Sequence, residues 1–216
     1  MTKRIAVVIG LALLSLGIAS GEPEEEAKAA LAKGGYVEAA TKFAEAIKAN
    51  GWKEDLHVMH IESLLAQGKY EDALKATEDA LKKVSRGVRV RLAAEQVFRF
   101  NGDNKRADQM LIEINQLAGT RIWAYRNAPS LLTLGRTALK LGGDPKLVLD
   151  NLYKEARKLD PDYVGVPLAI GGLALSKNDF ELAGRTFQVA LKKHPGNAGL
   201  HYGAALAFST SDMQIM

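Results

Sequence analysis

The feature that most constrains this chain is a stretch that recurs. "GGYVEAATKFAEAI" from Gly34, "GKYEDALKATEDAL" from Gly68 and "NDFELAGRTFQVAL" from Asn178 align without gaps. Each carries two small residues seven apart, Ala39 and Ala46, Ala73 and Ala80, Ala183 and Ala190, with an aromatic, Tyr36, Tyr70 or Phe180, ahead of them. Gly34 and Gly68 stand thirty-four residues apart, and "GDNKRADQML" places Gly102 and Ala107 one further period on. A regular period of this length signals a solenoid, in which each unit buries its apolar face only against its neighbours.

Each unit reads as two helices joined by a turn. In the second unit "EDLHVMHIESLLAQ" puts Leu56, Met59, His60, Ser63 and Leu64 on one helical face, "GKY" breaks the helix, and "EDALKATEDALKK" forms the next. Alanine is the best helix former, but small residues in register across four units point to a docking groove. They let a neighbouring helix approach closely, while the aromatic at the turn is expected to fill the space beside them.

These residues resemble the tetratricopeptide repeat family. Its pattern runs large apolar, Leu-Gly and an aromatic in the first helix, Gly-x-aromatic at the turn, Ala, aromatic and Ala in the second helix, then Pro. "FELAGRTFQVALKKHP" carries Phe180, Ala183, Phe187, Ala190 and Pro195, and "YVEAATKFAEAI" supplies Tyr36, Ala39, Phe43 and Ala46. "LLTLGRTAL" supplies Leu131, Leu134 and Gly135, and "YKEARKLDP" supplies Tyr153, Ala156 and Pro161. The resemblance implies an all-α fold, a right-handed superhelical solenoid of antiparallel helix pairs. The units fall at 20–53, 54–87, 88–121, 128–163 and 164–197, with a partial sixth over 198–216.

The departures are specific. In the third unit Glu95 stands where a small residue is expected, and Leu111 and Ile114 replace the second-helix aromatic and alanine. Six extra residues, "IWAYRN", precede the fourth unit, where they are expected to extend its first helix and bury Trp123; the fourth unit's turn is lengthened to "LGGDPK". The sixth unit has "LHYGAALAF" as a first helix and, at "SDMQIM", barely begins a second.

The first 21 residues have the parts of a secretory signal: Lys3 and Arg4, an apolar run from Ile5 to Ile18, and small residues at Ala19 and Gly21. Fourteen apolar residues rise only about 21 Å as a helix, against roughly 30 Å of hydrocarbon. Cleavage after Gly21 and an exported chain, periplasmic or extracellular and not stably inserted in a membrane, are therefore expected, a retained anchor being the alternative. Setting Lys3 and Arg4 aside, the formal charge of +4 becomes 27 basic against 25 acidic residues. So balanced a chain has no general drive toward nucleic acid, and a basic feature must be local to count. It has no cysteine, so stability rests on packing.

Nothing in the sequence converges on a reaction. There is no His-Glu-x-x-His, no Gly-x-Ser-x-Gly and no phosphate-binding Gly-x-x-x-x-Gly-Lys. His57 and His60 are spaced to share a helical face but lack a third ligand and fall at packing positions. Gly171-Gly172 sits mid-helix at the close-packing position. No cofactor or metal is implied, and no enzymatic activity.

Binding remains. The resemblance implies that first helices of successive units line a concave groove that receives an extended peptide or a helix. Carried over by register, the groove positions are Glu62, then Arg89, Leu92, Gln96 and Arg99, then Arg136 and Lys140. Arg89, Leu92, Gln96 and Arg99 form one stripe, and its cations with Arg136 and Lys140 suit an acidic protein or peptide partner, unless the face is simply solvated. The expected function is a non-enzymatic protein-interaction scaffold. Two rivals follow from the open sixth unit: the repeat segment of a larger exported enzyme such as a peptidase, or a module that self-associates through its C-terminal end.

Overall fold

The computed structural model describes residues 22–213. The leader at 1–21 and the last three residues lie outside it. Among the described residues there are eleven helices and no strand. The first pair is α1 (Glu22–Ala32) and α2 (Tyr36–Ala49), followed by α3 (Glu54–Ala66) with α4 (Tyr70–Lys83) and α5 (Val88–Phe100) with α6 (Asn104–Arg121). After a short 3-10 turn, Ile122–Tyr125, come α7 (Ala128–Lys140) and a composite α8 over 145–159, then α9 (Gly165–Ser176), α10 (Phe180–Lys193) and α11 (Ala198–Met213). Each helix packs on the next, and first helices of adjacent units also touch, giving a right-handed superhelical solenoid of about five and a half units.

The recurrent small residues are the sockets. Ala39, Ala46, Ala73, Ala80, Ala107, Ala183 and Ala190 are all buried. Between each pair lies a residue whose size is matched to a position in the preceding helix. Phe187 is wedged between α9 and α11: a Cβ on Gly171 would come within 2.3 Å of its ring and one on Gly203 within 2.4 Å. Gly135 leaves the same room for Tyr153, 2.3 Å from where its Cβ would stand. At those two register positions the second unit instead carries Ile61 and Thr77, both wholly buried, a large residue facing a small one in place of the reverse. Gly172, by contrast, meets nothing within 4 Å, so only the first of the two mid-helix glycines is a close-packing residue.

The turns between paired helices reuse one solution. Gly34, Gly68, Gly102 and Gly142 each take a positive φ between 70° and 83°, where a Cβ would be strained, and Asn178 does the same at 58°. The turn aromatics do not fill the sockets as expected. Tyr36 and Tyr70 remain 41% and 44% exposed, and Tyr70 packs at a tilt on Phe100, ring centroids 5.4 Å apart. What holds these turns is polar: Gln67 Nε2 donates to the Tyr36 carbonyl at 2.9 Å, and one period later Asn101 Nδ2 donates to the Tyr70 carbonyl at 3.3 Å.

Two more expectations are corrected. Trp123 is not buried but 71% exposed; Tyr125 takes the interior position and donates its hydroxyl to the Arg86 carbonyl at 3.0 Å. Where the sixth unit is expected to begin a second helix, at Ser211, α11 instead continues unbroken to Met213, the last described residue. In the fourth unit the buried residues Val148 and Tyr153 are five apart, where Ala73 and Thr77 are four apart. A π-turn over Leu149–Tyr153 absorbs the extra residue and returns Tyr153 to its place against Gly135.

Candidate functional site: the inner face of the first helices

Units are joined on one side by carbonyl staples that sequence reading missed. The fourth residue of a first helix reaches back six positions into the preceding turn: His57 Nε2 pairs with the Gly51 carbonyl at 2.8 Å, Arg91 donates to the Ser85 carbonyl at 2.8 Å, and His201 Nε2 pairs with the Pro195 carbonyl at 2.7 Å. The signal was available as a His, Arg and His at one register position. The buried His57 thereby has one ring nitrogen, Nε2, engaged with the Gly51 carbonyl. Desolvation, with His57 nearby, holds the half-buried His60 imidazole below its usual pKa.

The seven groove positions divide into three groups. Glu62, Gln96 and Arg136 are each the ninth residue of their unit's first helix, in α3, α5 and α7, and all three are exposed. They form a column along the inner face, and the Arg136 charge acts on Glu62 directly. Glu62 is exposed at its surface, but neighbouring protein atoms displace part of the water around its carboxylate. Desolvation therefore raises its carboxyl above the usual range, while Arg136 pulls it back.

Arg99 and Lys140 converge on a buried carboxylate instead of on solvent. Glu95, 1% exposed, accepts from Arg99 Nε at 2.5 Å and from Lys140 Nζ at 3.1 Å. A second guanidinium nitrogen of Arg99 reaches Asp108 at 2.7 Å. The third unit thus accommodates an acid at its close-packing position by turning two groove cations toward it, as a buried carboxylate requires. Glu95 was visible in the sequence as an anomaly; its partners were not, because Lys140 lies forty-five residues away.

Arg89 and Leu92 belong to packing between units. Arg89 forms an ion pair with Asp55, its equivalent in the preceding unit, while its backbone N–H and that of Val90 donate to Glu54 Oε1 at 2.7 and 2.9 Å. Glu54 therefore caps the start of α5. Leu92, half-buried, packs against a cluster of Val88, Ile114, Tyr125 and Leu134 at the junction with the fourth unit. Arg136 has no ion-pair partner among the described residues. Among those residues, too, no cluster of His, Asp and Glu is placed to hold a metal, and no helix is long and apolar enough to cross a membrane.

No protein-family model matches the sequence, and no curated protein matches it significantly. Solved structures do match in fold. A tetratricopeptide repeat protein of Thermus thermophilus, TTC0263, superposes with a TM-score of 0.62 over 88% of this chain and 99% of its own, at 21% identity. The structure of the APC/C hetero-tetramer Cut9-Hcn1 superposes with a TM-score of 0.53 at 14% identity, covering 93% of this chain and 45% of the matched one. The fold is a tetratricopeptide-type solenoid.

Proposed function

We propose that the chain is a protein-interaction scaffold without chemistry of its own, and that it grips an extended peptide or a helix along the inner face of its first helices. The observation that carries this is the column of Glu62, Gln96 and Arg136: three exposed polar side chains at one register position, on helices fixed by buried packing. A preformed groove spares the scaffold side the cost of ordering on binding. Arg136 is the position for a partner's carboxylate, because Arg99 and Lys140 are held by Glu95. Gly172 continues the column with open space above it, room for a bulky partner side chain. The leader supports an exported setting for this scaffold.

The test is selection of peptides from a random displayed library against the full chain, followed by titration against Arg136→Glu and Gln96→Arg. Selected peptides should carry a carboxylate whose contribution disappears with Arg136→Glu. Peptides that bind all three proteins equally would place binding elsewhere.

A further inference from the structure

The turns that join one unit to the next lie along one edge of the solenoid, and that edge is cationic although the chain as a whole is balanced. Consecutive turns touch. A Cβ on Gly51 would stand 3.7 Å from the Lys83 side chain, Tyr125 bonds the Arg86 carbonyl at 3.0 Å, and Lys193 bonds Asp162 at 2.6 Å. The last turns of the second helices, which all end on this edge, carry eight Lys or Arg; the last turns of the first helices, which end on the opposite edge, carry only Arg99 and Lys140. Cations favour any helix C-terminus through the macrodipole. That preference acts equally on both sets of helices, so it does not account for their concentration on one edge.

Much of this charge is available. Lys48, Lys83, Arg86, Arg121, Arg157 and Lys192 have no ion-pair partner among the described residues. Most acids at the edge are already occupied: Glu24 holds Lys28 and Lys53, Glu54 caps α5, Asp55 pairs with Arg89 and Asp162 with Lys193, while the Asp160 carboxylate, among the described residues, accepts only the Asp162 backbone N–H. Among these cations stand both tryptophans of the chain, Trp52 and Trp123, each 71% exposed in a turn between units, with Ile122 beside the second 49% exposed.

We infer that this edge docks on an anionic lipid surface, with the cations over the headgroups and the two indoles at the interfacial level. Tryptophan prefers that depth because its ring is apolar and its N–H finds polar partners there. Lysine and arginine supply the attraction, each worth about fivefold in partitioning near an anionic leaflet. A lipid surface is favoured over a protein occupant because the unpaired cations and the two exposed indoles are spread along the whole row of turns, from Lys48 to Lys192, and are not gathered into one cleft. The inner face of the first helices stays clear for a protein partner.

Trp52 and Trp123 are the only tryptophans, so intrinsic fluorescence of the full chain reads the edge directly. Vesicles of equimolar phosphatidylglycerol and phosphatidylcholine should shift the emission to the blue, and high salt should reverse the shift. Vesicles of phosphatidylcholine alone should leave it unmoved even if the apolar leader carries the protein to them in sedimentation. Lys83→Glu/Lys192→Glu, with circular dichroism as the check on folding, should weaken the anionic-vesicle response by roughly 25-fold or more. Lys48→Glu/Arg121→Glu should do the same independently. The inference is overturned by an unmoved emission on anionic vesicles, by an equal shift on neutral ones, or by charge-reversed variants that respond as the parent does. Binding to a duplex oligonucleotide with this charge dependence, without a vesicle response, would make the edge a nucleic-acid surface and equally refute it.

Discussion

Lys140 of α7 reaches back to Glu95 of α5 at 3.1 Å and, together with Arg99, neutralises a carboxylate that is 1% exposed. The two cations are partly solvated and tolerate losing the acid, whereas the acid does not tolerate losing both cations. Arg99→Ala/Lys140→Ala should therefore cost about 3–5 kcal/mol in denaturant unfolding, while Glu95→Gln, equal in shape and uncharged, should stay within about 1 kcal/mol of the parent. Equal losses from the two variants would contradict the assignment of Glu95 as the vulnerable partner.

Phe187 occupies space that Gly171 and Gly203 leave open on either side. Adding one methyl group with Gly171→Ala should cost roughly 1–3 kcal/mol by overpacking. Combining it with Phe187→Leu should recover part of that loss, since the second unit already pairs a large residue, Ile61, with a small one, Thr77, at these positions. A double-mutant cycle with no coupling would show that ring and glycine do not share the site.

Much of this was legible beforehand and some was not, for physical reasons. Small residues in register declare helix docking because close approach demands the same side chain every time, so Ala73, Ala80 and Gly135 could be read directly. Trp123 and Tyr125 could not be told apart, since both are large aromatics and only the three-dimensional placement of the Arg86 carbonyl selects the tyrosine for the interior. Helical spacing puts Gln96 and Arg99 near one another on α5, but it is blind to which cations a distant carboxylate will claim.

Thr77 is wholly buried and its hydroxyl has no hydrogen-bond partner. Thr77→Val keeps the branched shape and removes an unsatisfied polar atom, so it should raise stability by about 1 kcal/mol in chemical unfolding. A loss would mean that the hydroxyl is satisfied in solution.

Glu62 gives a pH signature. Its folded pKa lies above the unfolded value of 4.5, so folding is penalised at neutral pH, where the unfolded chain holds the charge more cheaply, and the penalty fades as pH falls below the folded value toward 4.5. Glu62→Gln should stabilise the chain near pH 7 by at most about 0.5 kcal/mol once solvent screening is allowed, and the gain should vanish below pH about 4.5. A gain that grows on acidification would reverse the sign.

The central claim is that the inner column reads a partner, and affinity measured at Arg136 tests it most directly. A carboxylate-bearing peptide selected on the parent chain should bind Arg136→Glu at least about tenfold more weakly, the scale of one lost charge-assisted bond. It should bind Lys83→Glu, on the outer edge, unchanged. Undiminished affinity for Arg136→Glu, with the variant folded, would contradict the account.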